Sequence, residues 1–389
     1  MKITLYILTL VVFLASTSIA QGIKFEKGTW AEIQAKAKKE NKHIFVDAYT
    51  TWCGPCKWQS KKVFPQKEVG DFFNKNFVSF KLDMEKGEGV DFAKQYKVRA
   101  FPTLVYFNPK GELVHRTTGA NPAKVLLKQA GEALNPETQF VSLQKRFDKG
   151  ENDLDFLKKY IAATKGAYQD FTKPTEMYLN QLGKKKWATA EGWAFIKEFV
   201  VKSSLDAFVY VVQNQGKFEQ LAKKKKEVSN FIERGLSYDM QKVARSKDQN
   251  KLEAYKSKLN KLFGKEADKH IIKTEYFFYR SNKEKGLKYA SKYLRTSSNV
   301  NELAMAAWQY YNQFDTPDHL NAALEWIDKA IKLDYHFRTY NIKVKILMKM
   351  KRYKEAKKAA EETLRLAKKD SKQYVKMAQK QLDEVNAKL

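Results

Sequence analysis

The sequence predicts an α/β sandwich over about residues 21–135, followed by an all-α array of helical hairpins over residues 136–389. Three observations carry this reading. Short apolar runs alternate with amphipathic stretches as far as Leu134. Beyond Asn135-Pro136-Glu137 that alternation stops, and only Pro174 and Pro317 interrupt a chain whose apolar residues recur at helical spacing. The only two cysteines, Cys53 and Cys56, sit in Trp52-Cys53-Gly54-Pro55-Cys56-Lys57, between a strand pattern and a helix pattern.

Met1 to Ala20 reads as a secretion signal. Lys2 supplies the positive start, Ile3 to Leu14 is apolar apart from Thr4, Tyr6 and Thr9, and Ser18-Ile19-Ala20 offers small residues for cleavage. The apolar run is short for a spanning helix of about 20 residues, so the expectation is a mature chain from about Gln21 without a transmembrane segment. The expected location is the far side of the inner membrane, the periplasm. No cysteine lies near the junction to carry a lipid.

Ile23 to Phe25 reads as a short strand, and Thr29 to Glu40 as a helix with Trp30, Ile33 and Ala37 on one face. His43 to Tyr49 is a buried strand and Lys57 to Phe64 the helix behind the cysteines. Pro65 should break that helix, with a second piece from Glu68 to Asn74. A strand follows at Phe77 to Asp83 and a helix at Glu88 to Tyr96. Leu104 to Phe107 and Leu113 to Thr117 form a strand pair, and Asn121-Pro122 opens a closing helix that runs to Leu134.

In the second region, Phe140, Leu143 and Phe147 share one helical face and Leu154, Leu157 and Ile161 another. Trp193 to Val212 is strongly apolar, but Lys197, Glu198, Lys202 and Asp206 interrupt it, so it reads as a buried helix pair rather than a membrane span. From about residue 301 a weak repeat enters: Ala323, Ile327 and Ala330 recur as Ala356, Ala360 and Thr363. The offset lies close to the period of about 34 found in tetratricopeptide repeats. Residues 136–300 are therefore expected to form one helical domain. Residues 301–389 are expected to form tetratricopeptide-like units or a generic bundle, either of which would offer a surface for a protein partner.

The formal charge is +29, from 73 Lys and Arg against 44 Asp and Glu. Most of the excess is lysine scattered along helix faces, with one dense run at Lys223 to Lys226. Nucleic-acid modules add a recognisable fold and clustered arginines, so specific nucleic-acid binding is not expected. A solvated lysine coat, or attraction to acidic proteins, accounts for the charge.

The two cysteines carry the chemistry. A thiol at a helix N-terminus faces unpaired N–H groups and the positive end of the dipole, which stabilise thiolate and bring the pKa from about 8.5 into the range of roughly 3.5–7.5. Two intervening residues keep the second sulfur within reach of a mixed disulfide, and Pro55 suits a first helical turn. A zinc site would need more ligands. No other cysteine exists, and His43, His115, His270, His319 and His336 show no ligand spacing, so no metal is expected. A purely structural disulfide stays open on these residues alone.

Val46-Asp47-Ala48-Tyr49-Thr50-Thr51-Trp52-Cys53-Gly54-Pro55-Cys56-Lys57 closely resembles the active-site segment of thioredoxins. Val98 to Leu104 is similar to the family's cis-proline segment, Asn108 to Glu112 to the turn before its last strand, and Thr118-Gly119-Ala120 to the glycine that follows. The resemblance covers about residues 21–135, with a Val63–Phe77 stretch longer than in a minimal thioredoxin and similar to secreted members. It implies a thiol–disulfide oxidoreductase without a cofactor beyond the Cys53/Cys56 disulfide. Cys53 would attack and Cys56 resolve. Asp47 would be a buried acid relaying a proton for Cys56, with Lys81 beside it. Trp52, Gly54, Pro55, Phe101 and Pro102 would meet the client, and Phe101-Pro102 would be cis. Its partners would be disulfide-bearing client proteins and a redox donor, and the Gly-Pro spacer resembles reductive members. Two function classes follow: an oxidoreductase whose helical region selects clients or partners, or an interaction protein whose helical array binds a partner and whose first domain is accessory.

Overall fold

The computed structural model describes residues 22–224, 226–282 and 285–389. The expected signal segment lies outside them. Five strands form one sheet in the order β1-β3-β2-β4-β5: Phe25–Glu26, His43–Tyr49, Phe77–Asp83, Thr103–Phe107 and Leu113–Thr118 are β1 to β5 in chain order. β1, β3 and β2 run parallel, and β4 and β5 add antiparallel. The helices between them are α1 (Trp30–Glu40), α2 (Gly54–Lys62), α3 (Lys67–Asn76), α4 (Glu88–Gln95) and α5 (Ala123–Leu134). The α/β sandwich and its terminal antiparallel pair are as the sequence predicts.

Most boundaries differ from the expectation by one or two residues. The first strand is Phe25–Glu26 rather than Ile23–Phe25, because pairing to Ser79 and Phe80 sets its position while the Ile23 N–H donates to the Phe64 carbonyl. The helical run read from Lys57 begins at Gly54, with Cys53 as its N-cap and Pro55 in the first turn, as the motif implied.

Successive side chains of a strand face opposite sides of the sheet. In β2, Ile44, Val46 and Ala48 pack with Ile33 and Ala37 of α1 and Phe92 of α4. Phe45 faces the other way, among Val63 and Phe64 after α2, Phe73 of α3 and Leu126 and Ala130 of α5. Asp47 has the parity of Phe45, so it enters the layer beneath α2. This alternation places an acid under the helix that carries Cys56.

Residues up to Val200 continue as α6 (Phe140–Asp148), α7 (Leu154–Gly166), α8 (Thr172–Leu182), α9 (Lys184–Trp187) and α10 (Ala190–Phe199). The chain divides into two compact units at Val200/Val201. α6 and α7 both contact β5, so the change from mixed to helical structure falls inside one unit. His115 of β5 is buried and its Nδ1 accepts the N–H of Phe140, the first residue of α6, at 3.0 Å. An accepting Nδ1 places the imidazole proton on Nε2. Burial, aided by the Lys128 charge, pulls the His115 pKa down to about 4.

The second unit is helical: α11 (Asp206–Gln213), α12 (Gln215–Leu221), α13 (Glu227–Ser246), α14 (Gln249–Phe263), α15 (Ala267–Tyr279), α16 (Gly286–Leu294), α17 (Val300–Gln313), α18 (Pro317–Leu333), α19 (Phe337–Lys349), α20 (Tyr353–Ala367) and α21 (Lys372–Asn386), with one 3₁₀ turn at Gly264–Glu266. The apolar 193–212 stretch is helical on both sides of a break at 200–205. Among the described residues no helix is long and apolar enough to cross a membrane. Ala323, Ile327 and Ala330 lie buried on α18, and Ala356, Ala360 and Thr363 lie buried on α20. Three-residue connections join α17 to α18 and α19 to α20, so each pair is a helical hairpin. The small residues of the repeat are where these helices pack.

Candidate active site

Cys53 and Cys56 are joined in a disulfide, with Cα atoms 5.3 Å apart. Cys53 is extended, and its Sγ accepts the Cys56 N–H at 3.1 Å, the bond an N-cap side chain makes to the third helical residue. The helix dipole and this N–H therefore act on the Cys53 sulfur, whereas Cys56 sits inside the first turn. Pro55 occupies that first turn, where its missing N–H leaves no helical bond unmade. Gly54 is exposed, with open space around the place a Cβ would take.

Asp47 is 1 % exposed and pairs in register with Lys81 of β3. Its Oδ2 lies 3.1 Å from Lys81 Nζ, an ion-pair separation without the alignment of a hydrogen bond. Burial pushes the Asp47 pKa up, and the nearby Lys81 charge opposes part of that rise. A buried carboxyl with a raised pKa takes up a proton more readily than an exposed one. The acid is in the layer under α2, not on the surface.

Lys81 is held from several sides. Its Nζ donates to Ser60 Oγ of α2 at 2.5 Å, and the rings of Phe25, Tyr49 and Phe64 surround it at 5.2, 5.2 and 5.3 Å. Three aromatic faces hold the Lys81 side chain beside Asp47. Ser60 and the three rings are site residues that motif reading missed. Ser60 could have been found, since it lies four residues after Cys56 and so shares its helix face. The rings come from three separate segments and carry no local signal.

Trp52 is 64 % exposed. Its indole N–H donates to both carboxylate oxygens of Glu85, at 2.9 and 3.0 Å, and its ring meets Phe101 edge-on at 5.9 Å. The Phe101–Pro102 peptide is cis, and the Pro102 carbonyl accepts the Gly119 N–H at 2.8 Å. Trp52 and Phe101 thus meet across the cleft between the β2–α2 and α4–β4 connections. Glu85, which orients the indole, was also missed; the only hint was an exposed Trp in want of an acceptor. Gln59 is buried on α2 and its Oε1 accepts the Asn121 N–H at 3.3 Å, which ties the helix to the loop after β5. Among the described residues no group of three His, Cys, Asp or Glu side chains could hold a metal ion.

Comparison with known proteins agrees with this geometry. The profile of the thioredoxin-like domain matches residues 30–133. A thioredoxin-like protein of Synechocystis is 33% identical over 107 residues, which are 28% of this chain and 93% of that protein. Chloroplastic thioredoxin Y of Oryza sativa is 32% identical over 112 residues, 29% of this chain and 63% of its own length. A solution structure of a candidate disulphide-isomerase from Bacteroides thetaiotaomicron is 48% identical and covers 30% of this chain and 95% of that one, with a TM-score of 0.28. The chain spans less than two thirds of thioredoxin Y and nearly all of the Synechocystis protein. Through the domain at residues 30–133 the chain belongs to the thioredoxin-like family.

Proposed function

We propose that the protein is a thiol–disulfide oxidoreductase that reduces protein disulfides on the far side of the inner membrane, in the periplasm. The observation that carries the reading is the Cys53 sulfur at the N-cap of α2, accepting the Cys56 N–H. In the reduced protein the Cys53 thiolate attacks one sulfur of a client disulfide, forming a mixed disulfide and releasing the other client sulfur as thiolate. Cys56 then gives up its proton, with buried Asp47 as the acceptor in reach of that layer. Its thiolate attacks the Cys53 sulfur, the second client thiolate leaves, and the Cys53–Cys56 disulfide remains. Two electrons pass to the client, and a dithiol donor must return them. Trp52 and Phe101 offer an exposed aromatic edge for the client chain. The location rests on the apolar Met1–Ala20 segment.

The helical region is assigned to client or partner selection, with α17–α21 as tetratricopeptide-like hairpins; the buried 33-residue repeat on α18 and α20 supports this. Insulin reduction in the presence of dithiothreitol tests the catalytic reading. The full chain should precipitate insulin B chain well above the dithiothreitol background. A rate equal to background would reject catalysis and leave the interaction-protein reading.

A further inference from the structure

The longest helix of the second unit, α13, carries Arg234, Tyr238, Gln241 and Arg245 at spacings of four, three and four. Those spacings place all four on one stripe of the helix. Beside the stripe lies a cavity of about 770 Å³ that α15 and α17 complete. It runs on, through the shared residues Ser237, Gln241 and Arg245, into a second depression of about 710 Å³ that includes Arg234 and Tyr238.

We propose that this continuous cleft is a docking groove for an acidic peptide segment of a partner protein. Charge is the first argument. Lys273 lies 3.0 Å from Glu233 and 3.9 Å from Glu302, and Glu302 also accepts from the Tyr293 and Ser297 hydroxyls. The single acid in the cavity is thus already engaged. Lys247 has a structural task, because its Nζ donates to the Phe278 carbonyl at 2.9 Å. Arg245 and Arg280 have neither constraint. Both are exposed, and among the described residues neither has a carboxylate within ion-pair distance. Arg245 reaches only the Gln241 side chain at 3.4 Å, and Arg280 rests over the Phe277 ring at 5.3 Å. The chain has only ten arginines among its 73 basic residues, yet two that have no carboxylate partner among the described residues face this cavity. Planar guanidinium forks suit carboxylates more closely than lysine does.

Shape and lining argue for a peptide. The stripe from Arg234 to Arg245 spans eleven residue steps, about 16 Å at the helical rise of about 1.5 Å per residue, which is the reach of about five residues of extended chain. Met240 and Phe277 give the wall an apolar component, and Gln241, Gln309 and Gln313 bring amides that can pair with peptide N–H and C=O groups. A small polyanion would use the cations and leave the amides and apolar wall without partners.

The groove deepens the selector role given to the helical region, yet its test needs no thiol chemistry. Fluorescence anisotropy would be measured on the full-length oxidised protein with a labelled ten-residue peptide of Glu and Asp interspersed with Leu and Ser. Its Gln/Asn counterpart is the neutral probe. The acidic peptide should bind and the neutral one should not. Arg245→Gln combined with Arg280→Gln should weaken binding at least tenfold. Lys357→Gln combined with Lys368→Gln removes the same charge from α20 and its C-cap and should change binding less than twofold. Equal weakening by the two pairs would show a general charge effect and overturn the groove. Equal binding of the neutral peptide, or displacement by inorganic pyrophosphate well below the peptide concentration, would overturn it too. Unchanged insulin reduction in the arginine variant would show that a failure here leaves the catalytic reading standing.

Discussion

In the reduced protein at pH 7, Cys53 alkylates at least tenfold faster than Cys56, and Cys53→Ser abolishes insulin reduction. The helix N-terminus sets this asymmetry. A thiol with an ordinary pKa near 8.5 is only a few per cent ionised at pH 7, whereas one lowered to about 7 is half ionised. The Cys53 sulfur takes the Cys56 N–H and caps α2, while Cys56 lies inside the turn and gains no comparable donor. Cys56→Ser should retain the first chemical step and lose the second, so that clients stay bound through a mixed disulfide at Cys53. Mass spectrometry after iodoacetamide labelling reads the first result, and non-reducing gels read the second. Equal labelling of both thiols, or adducts formed as readily by the Cys53→Ser protein, would refute the assignment of roles.

The second large effect is on stability in acid. His115 stays neutral in the fold, with its pKa at about 4 against an ordinary 6.5, because burial disfavours the imidazolium and Lys128 repels it. The unfolded chain therefore binds the proton first. Stability is full above pH 6.5 and falls as pH drops toward 4, a loss of about 3 kcal/mol at 1.36 kcal/mol per unit. The proton would go to Nδ1, the atom that now accepts the Phe140 N–H, so the β5–α6 junction is the place that yields. Asp47 acts in the opposite sense: its raised pKa favours the fold at low pH and withdraws that support as pH rises past its ordinary 3.8. His115→Phe separates the two. The variant should be less stable at pH 7, since Phe140 loses its acceptor at a cost of about 1–3 kcal/mol. It should then lose the His115 share of the wild-type decline between pH 6.5 and 4 and keep that of His43 and His270, whose pKa values burial also lowers. Urea midpoints followed by tryptophan fluorescence at several pH values provide the measurement. Parallel pH profiles for the two proteins would contradict the account of His115.

What the sequence disclosed and what it withheld divide along locality. The β2 run, the Cys53-Gly54-Pro55-Cys56 motif and Phe101-Pro102 are contiguous, and each lies where its pattern placed it. The parity of Asp47 within β2 was also available from the strand alone. The residue pattern of a helix was legible only from Lys57, but Pro55 in a first turn and Cys53 at its start were also read from the motif, and α2 has both. The surroundings of Lys81 were beyond local reading, since Phe25, Tyr49, Ser60 and Phe64 meet only after the sheet and α2 have packed. His115 was weighed only as a metal ligand and rejected; its bond to Phe140 crosses 25 residues. Composition changes sharply at Pro136, yet α6 and α7 still dock on β5. A change of secondary-structure type is not by itself a break in packing. Arg245 of α13 lay in plain view, but that it has no carboxylate partner among the described residues depends on how α15 and α17 pack beside it.

The measurement that bears most directly on the central claim is the reduction potential of the Cys53/Cys56 pair, read by equilibrating the full chain with defined glutathione mixtures and counting alkylated thiols. Thioredoxins poise near about −270 mV, and strongly oxidising thiol–disulfide proteins near about −120 mV. A client-reducing dithiol capped as Cys53 is should fall close to the first value. A value close to the second, or a pair that fails to exchange with glutathione at all, would contradict the assignment of this protein as a disulfide reductase.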